Sequence, residues 1–93
     1  MANVMQLTVV TPEKVLFNGE IKYLYVPGGA GYFGVLVDHA PMIASIKAGP
    51  FEIRTTTGSV IKFTTTHPGF FEVVKNKASI LLDAADTASF LRP

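Results

Sequence analysis

Hydrophobic and polar residues alternate with a period of two along several short stretches of this chain. In the first stretch, the apolar side chains that would share one face are Met5, Leu7 and Val9. The same alternation returns in residues 51–54 and 61–64, where large apolar residues take turns with charged residues or threonine. Successive side chains of a β-strand point to opposite faces of a sheet, so this pattern predicts strands that are buried on one side and wet on the other.

Turn-forming residues divide the sequence into runs of about four to eight residues that are rich in β-branched and aromatic side chains. The turn signals, built mainly from Gly, Pro, Asn and Asp, fall at residues 11–12, 18–19, 27–31, 38–41, 48–50, 57–59, 67–69 and 75–77. This spacing predicts an all-β fold, a flattened sandwich or barrel of about eight to ten short, mostly antiparallel strands. Within it, residues 57–59 are predicted to form a hairpin turn that pairs residues 51–56 with residues 60–65.

The length of 93 residues predicts a single domain that covers residues 1–93, and a hydrophobic fraction of 48% supports a folded core. The last part, residues 84–93, contains several alanines but is too short to hold a helix alone. It is therefore predicted to be a short tail outside the sheet, either loose or a single helical turn.

Composition and charge remove several classes of function. The chain has no cysteine, so disulfides and thiolate metal sites are excluded. Its net charge is +1 and its eight basic residues are scattered, which gives no electrostatic argument for nucleic acid as a partner. No apolar run approaches the roughly 20 residues of a membrane helix, and the N-terminus lacks the basic and apolar regions of a signal peptide.

A glycine-rich stretch, residues 27–41, contains a literal GxGxxG match at Gly29, Gly31 and Gly34. A dinucleotide site of this type needs a helix directly after the glycines, because the free amides of the helix N-terminus bind the pyrophosphate. The run that follows here, residues 35–37, is β-branched and apolar and ends quickly, which predicts a strand. The glycines are therefore interpreted as a tight connection between strands, and a nucleotide-dependent enzyme would rest on this match alone.

The residues of an enzyme mechanism are not apparent. The seven acidic residues include no pair at a metal-ligand spacing, and the serines lack the strained glycine elbow that exposes a nucleophile. Asp38 and His39 are adjacent, so their side chains diverge on an extended chain. A metal site made from His39 and His67 has no support beyond the presence of two histidines. The sequence thus predicts no catalytic residue, no metal site and no cofactor.

Several blocks of the sequence, in order and at the right spacing, resemble the epsilon subunit of rotary (F-type) ATP synthases. The central block is Gly31–Leu36 followed by residues 39–49, which is similar to that family's Gly-x-φ-Gly-φ run, its His-Ala-Pro and its basic-x-Gly turn. The remaining blocks are residues 7–13, 17–20, 69–73 and 78–83. The resemblance is collinear from Met5 to Asp86 and points to the N-terminal β-sandwich of that subunit.

The resemblance implies a non-catalytic rotor part, present in one copy per complex, with neither a cofactor nor a small-molecule substrate. In that family the subunit links the γ shaft to the ring of membrane c subunits and so couples proton or sodium flow to ATP synthesis. It would be associated with the membrane through these partners only, on the cytoplasmic face of a bacterial inner membrane, or on the stromal or matrix side in an organelle.

The resemblance also implies two contact surfaces. The residues assigned to the c ring are Gly28, Gly29, Ala30, Gly31, Tyr32 and Phe33. The residues assigned to γ are His39, Ala40, Pro41, Met42, Ile43, Ala44 and Ser45. Tyr32 stands where the family usually has an acid, which predicts a ring contact that depends less on charge. At least one of Tyr32 and Phe33 is expected to face a partner. For His39, a corner residue bonded to nearby backbone and a residue close to the shaft are both open interpretations.

Two further expectations concern the end of the chain and the alternative function. Most family members continue into a C-terminal helical hairpin that carries the family's brake and nucleotide site, whereas this sequence ends at Pro93; on that basis it is expected to couple rotation without inhibiting hydrolysis. The alternative from another class is a small β-sandwich module that binds a carbohydrate or a peptide. Such a module should show a solvent-exposed aromatic platform.

Overall fold

The computed structural model describes residues 3–86, which form eight strands and one short 3-10 turn. The strands are β1 (Met5–Val10), β2 (Val15–Gly28), β3 (Gly31–Leu36), β4 (Met42–Ile46), β5 (Gly49–Thr55), β6 (Val60–Thr65), β7 (Gly69–Val74) and β8 (Lys77–Leu81). The 3-10 turn is Ala84–Asp86. No α-helix occurs in this part of the chain, so the prediction of an all-β fold with about eight to ten strands is confirmed.

The long strand β2, with 14 residues, takes part in both layers of the sandwich. Its first half pairs with β1, and that layer continues through β8 and β7 to β4. Its second half pairs with β3 along one edge and with β5 along the other, and β5 pairs with β6. Between strands of residues 3–86, β1 and β8 are parallel and the other pairings are antiparallel. A strand shared by both layers joins them without a flexible linker.

The core lies between the two layers and receives a buried apolar side chain from each of the eight strands. The predicted alternation of β1 is confirmed, because Met5, Leu7 and Val9 are all fully buried. In the other layer, the rings of Phe51 and Phe63 stack with their centroids 4.7 Å apart. Burial of a large apolar side chain stabilises a fold by about 1.5–3 kcal/mol, so this shared core is the main source of the domain's rigidity.

Of two predicted turns compared with the strand boundaries, one is confirmed and one is wrong. Strand β5 ends at Thr55 and β6 begins at Val60, so the hairpin turn predicted at residues 57–59 is confirmed, and Gly58 takes a φ of 87° there. The turn predicted at residues 18–19 is wrong, because Asn18 and Gly19 lie inside β2 and pair with β1. Gly19 is covered by the ring of Phe17, so its small size serves close packing within the strand.

The chain after β8 is tied back to the sandwich at Asp86. This side chain is only 1% exposed, and its Oδ1 accepts hydrogen bonds from the Thr66 amide at 2.6 Å and from the Thr66 hydroxyl at 2.9 Å. The His67 Nδ1 lies 3.9 Å from Oδ2 of the same carboxylate. The tail expected over residues 84–93 is described in its first part, the turn Ala84–Asp86, while residues 87–93 lie outside the described residues.

Candidate functional site

The glycine-rich stretch forms a hairpin between β2 and β3 with a loop of two residues, Gly29 and Ala30. Gly28 and Gly31 face each other at the base of this loop. A Cβ on Gly28 would lie 2.6 Å from the carbonyl oxygen of Gly31, and Gly31 itself takes a φ of 137°. Both positions therefore require glycine for geometric reasons. Strand β3 begins within the motif, at Gly31, so no helix starts directly after the glycines and no helix N-terminus is available there to bind a phosphate.

Only two of the six residues assigned to the c ring lie in the loop. Gly28 belongs to β2, and residues 31–33 belong to β3. Phe33 packs against the core and meets the ring of Phe71 edge to face, with 5.7 Å between centroids. Tyr32 points outward, is 48% exposed and stacks on Tyr25 at 5.1 Å. Tyr32 is thus the more exposed of the two aromatic residues.

The outer face of the β2–β3–β5 layer carries a cluster of tyrosines, but these rings contact one another and a cation. Tyr25 and Tyr32 lie nearly parallel, with 14° between their planes. The guanidinium of Arg54 lies 5.1 Å from the ring centroid of Tyr23, and Tyr23 also covers Gly34, where a Cβ would lie 2.8 Å from the tyrosine oxygen. Of these rings, Tyr25 and Tyr32 are 38% and 48% exposed, and they stack on each other.

The corner between β3 and β4, residues 38–41, is a compact turn. Asp38 takes a φ of 67°, and the His39 amide donates to the Leu36 carbonyl at 3.2 Å. The His39 Nδ1 lies 2.6 Å from the Ala40 carbonyl oxygen. Since a carbonyl can only accept, Nδ1 is the donor in this contact. The local interpretation of His39 therefore describes a real bond, and it leaves Nε2 for another role.

Strand β4 carries the last four of the residues assigned to γ, residues 42–45, on two different faces. Met42 packs against the core, and Ala44 lies opposite the fully buried Phe71. Ile43 points outward and is 78% exposed. Its outward neighbours on β7 are Glu72, directly across, and Phe70, which is diagonal to it and 61% exposed. Ile43 and Phe70 together make an apolar surface on the outside of the sheet.

The two sets of assigned residues meet at one end of β4. Gly28 forms a bridge pair with Ile46, the Gly29 amide donates to the Ser45 carbonyl at 3.1 Å, and the Lys47 amide donates to the Pro27 carbonyl at 2.7 Å. A shallow cleft between them is lined by Gly28, Gly29, Ala30, Gly31, Phe33, Met42, Ala44 and Ser45. The corner at residues 38–41 lies at the other end of β4, roughly 14 Å away at about 3.4 Å per residue.

Asn76, in the turn between β7 and β8, is a residue to which the sequence analysis assigned no role. Its side chain exchanges two hydrogen bonds with Asp38, from the Asp38 amide to Oδ1 at 2.6 Å and from Nδ2 to the Asp38 Oδ1 at 2.7 Å. The sequence marks both positions as turns, yet composition carries no signal that these two turns touch.

In residues 3–86 no group of three or more His, Cys, Asp or Glu side chains could hold a metal ion. The same part of the chain has no helix long and apolar enough to cross a membrane.

Comparison with known sequences finds a family with the same architecture. The profile of the family described as ATP synthase, Delta/Epsilon chain, beta-sandwich domain matches residues 4–88. The ATP synthase epsilon chain of Leptospira interrogans serovar copenhageni is 43% identical over 82 residues, which cover 88% of this chain and 63% of the relative. The ATP synthase epsilon chain of Desulforamulus reducens is 36% identical over 88 residues, which cover 95% and 65% of the two chains. This chain thus spans a little under two thirds of these relatives.

Solved structures with a similar fold occur in two mitochondrial ATP synthases. A chain in the OSCP/F1/c-ring assembly of Euglena gracilis superposes with a TM-score of 0.81 at 17% identity, covering 88% of this chain and 52% of that one. A chain in the central stalk and c-ring of Tetrahymena thermophila gives a TM-score of 0.70, also at 17% identity, covering 85% and 63%. At this identity the likeness shows the fold.

Proposed function

The chain belongs to the family of ATP synthase delta/epsilon chains, and on this premise we propose that it is the epsilon rotor subunit of an F-type ATP synthase. In this role it is a non-catalytic part of the central stalk and links the γ subunit to the c ring. Proton or sodium flow turns the ring, and the chain transmits the rotation to γ and the catalytic head. It is held at the membrane through its partners, on the side where the catalytic head lies.

The observation that carries the proposal is the direct connection between the two assigned surfaces. The hairpin at Gly29 is hydrogen-bonded to one end of β4, and the corner at residues 38–41 begins the other end. The strand between them packs on the core through Met42 and Ile46. A part that transmits torque must not bend between its contacts, and a paired strand on a close-packed core meets that requirement.

The ring side of the proposal centres on the tip of the hairpin. Gly29 and Ala30 are exposed and carry almost no side chain, so a backbone loop of a c subunit can approach them closely. Tyr32 adds a partly exposed ring next to this tip, and Phe33 supports the hairpin from inside by packing on Phe71. The contact is therefore one of shape and apolar area, with a neutral tyrosine at the position where the family usually has an acid.

The γ side of the proposal centres on the outward surface of Ile43 and Phe70. Single exposed apolar side chains are common, but exposed apolar side chains that neighbour each other on adjacent strands, as these two do, mark a candidate interaction surface. Met42 and Ala44 lie on the other face of β4, where Met42 packs against the core and both line the shallow cleft, so they are not part of this outward surface. His39 contributes the ring edge that carries Nε2, since Nδ1 is bonded to the Ala40 carbonyl.

Co-purification tests the proposal. An affinity-tagged chain that is produced together with its cognate γ and c subunits should retain both, with γ in about a one-to-one ratio. A tagged variant with Ile43→Glu, which keeps the inner face of β4 intact, is the control and should lose γ selectively. If the unmodified, folded chain retains neither γ nor the c ring, the proposal is wrong.

A further inference from the structure

Asp38 and Asn76 form a reciprocal pair of hydrogen bonds across two turns that are far apart in sequence. The Asp38 amide donates to the Asn76 Oδ1 at 2.6 Å, and the Asn76 Nδ2 donates to the Asp38 Oδ1 at 2.7 Å. These are short distances for N–H···O bonds, and the double contact fixes both position and orientation. The β3–β4 turn is thereby attached to the β7–β8 turn.

Asn76 is well placed to act as an anchor because its own backbone is held from a third element. Its carbonyl oxygen accepts a hydrogen bond from the Gln6 amide of β1 at 2.8 Å. Asn76 and its neighbour Lys75 have φ angles of 61° and 49°, and Asp38 has a φ of 67°. Asn and Asp are the non-glycine residues that tolerate this left-handed conformation best, so the residue types fit the geometry at both ends of the pair.

The corner has few other hydrogen bonds to the rest of the protein. Within residues 37–41, the remaining hydrogen bonds that the described structure gives are local, from the His39 amide to Leu36 and from the His39 ring to Ala40. The long-range hydrogen bonds of this corner both go to Asn76. Val37 and Met42, which flank the corner, are held by packing against the core, so the hydrogen bonds that attach the corner itself to a distant element come from that one side chain.

We propose that Asn76 is a positioning residue for the γ contact: it holds the corner at residues 38–41 in its binding conformation without touching γ itself. This inference rests on the proposed function, since it takes the segment from His39 to Ser45 as the γ-facing one. A preordered corner loses less conformational entropy on association than a mobile one, so loss of the pair weakens binding to γ while the fold persists.

Three variants separate positioning from general damage to the turn. Asn76→Gly removes the side-chain bonds and keeps a backbone that accepts a positive φ. Lys75→Gly is the matched control, because it places the same residue type in the same turn at a position with a φ of 49°, and the structure of residues 3–86 gives the lysine side chain no hydrogen bond or ion pair. Asp38→Asn keeps the Oδ1 acceptor and removes the charge, so it should retain the pair and bind like the unmodified chain.

Two quantities are measured. The first is the affinity of the full chain for a catalytic head that contains γ but not this chain. The second is the rate of amide hydrogen exchange at His39 in the isolated chain. We expect Asn76→Gly to bind about fivefold to tenfold more weakly than Lys75→Gly, with equal melting temperatures and faster exchange at His39. If Asn76→Gly matches Lys75→Gly in both affinity and exchange, the inference is wrong and the proposed function stands. If the unmodified chain itself does not bind the head, the proposed function fails, and the inference fails with it.

Discussion

The Gly29 amide donates a hydrogen bond of 3.1 Å to the carbonyl oxygen of Ser45 and so joins the tip of the β2–β3 hairpin to the end of strand β4. Ser45 is the last residue of the segment assigned to γ, and Gly29 is one of the two loop residues among those assigned to the c ring. Backbone hydrogen bonds, with no flexible side chain between them, therefore connect the hairpin tip to β4.

The packing of this hairpin predicts that two neighbouring glycines respond differently to the same substitution. Gly28→Ala should destabilise the domain by about 1–3 kcal/mol, because the new Cβ would lie 2.6 Å from the Gly31 carbonyl oxygen and 2.8 Å from the Phe33 ring. Backbone and a packed ring cannot move aside without distorting the hairpin. Urea unfolding of the purified chain, followed by circular dichroism, measures the loss.

Gly29→Ala is the control for this prediction. Its nearest neighbour would be the Ser45 Oγ at 3.1 Å, and a hydroxyl can rotate away, so we expect a loss of less than about 1 kcal/mol. Equal destabilisation by the two substitutions would contradict the argument, because it would mean that the close contact at Gly28 is not what the domain depends on.

The sequence predicted the strands and their buried faces because these depend on local alternation, as the complete burial of Leu7 illustrates. It failed at Asn18 and Gly19, where a pair typical of turns continues a strand because β1 supplies its ladder partners. It could not reveal the contact between Asp38 and Asn76, since composition marks turns but does not say which of them meet. Contacts between distant turns are set by the packing of the whole sandwich.

A second prediction concerns the charge at the ring contact. Tyr32→Glu introduces an acid at an exposed position next to the hairpin tip, so association with the c ring should become sensitive to salt, which screens exposed charges. In crosslinking at Ala30→Cys, the yield with the ring should change between about 0.05 M and 0.5 M NaCl for Tyr32→Glu and stay nearly constant for the unmodified residue. Tyr32→Gln, which is neutral and similarly polar, controls for loss of the stack on Tyr25. Strong salt dependence with tyrosine in place would overturn the idea of an uncharged contact.

A third prediction concerns the buried carboxylate at the end of the described chain. Asp86→Ala removes a carboxyl group that is 1% exposed and accepts two hydrogen bonds from Thr66, and a hydrogen bond to a charged group contributes about 1.5–3 kcal/mol. We expect a loss of stability of about 2 kcal/mol in denaturant unfolding. Asp83→Ala removes the same charge at an exposed site where the carboxylate accepts one hydrogen bond from the Ala85 amide at 2.9 Å, so it should cost less than about 1 kcal/mol. If the two variants are equally stable, Asp86 does not anchor the β6–β7 turn.

The last prediction separates the two contact surfaces by disulfide or bifunctional crosslinking in the assembled enzyme. The chain has no cysteine of its own, so single cysteines report on single positions. Ala30→Cys at the exposed hairpin tip should capture a c subunit, and Ile43→Cys, which replaces a side chain that is 78% exposed on β4, should capture γ.

Ala44→Cys is the matched control for the second position. Position 44 is one residue further along the same strand, but its side chain lies on the inner face opposite Phe71. Ala44→Cys should therefore capture γ far less efficiently than Ile43→Cys, although the two positions are adjacent in sequence. That contrast follows from the alternation of side chains in a strand and is independent of how strongly the complex binds. Capture of the same partner at positions 30 and 43, or stronger capture at 44 than at 43, would refute the division of the surface into a ring-facing hairpin and a γ-facing outer face of β4.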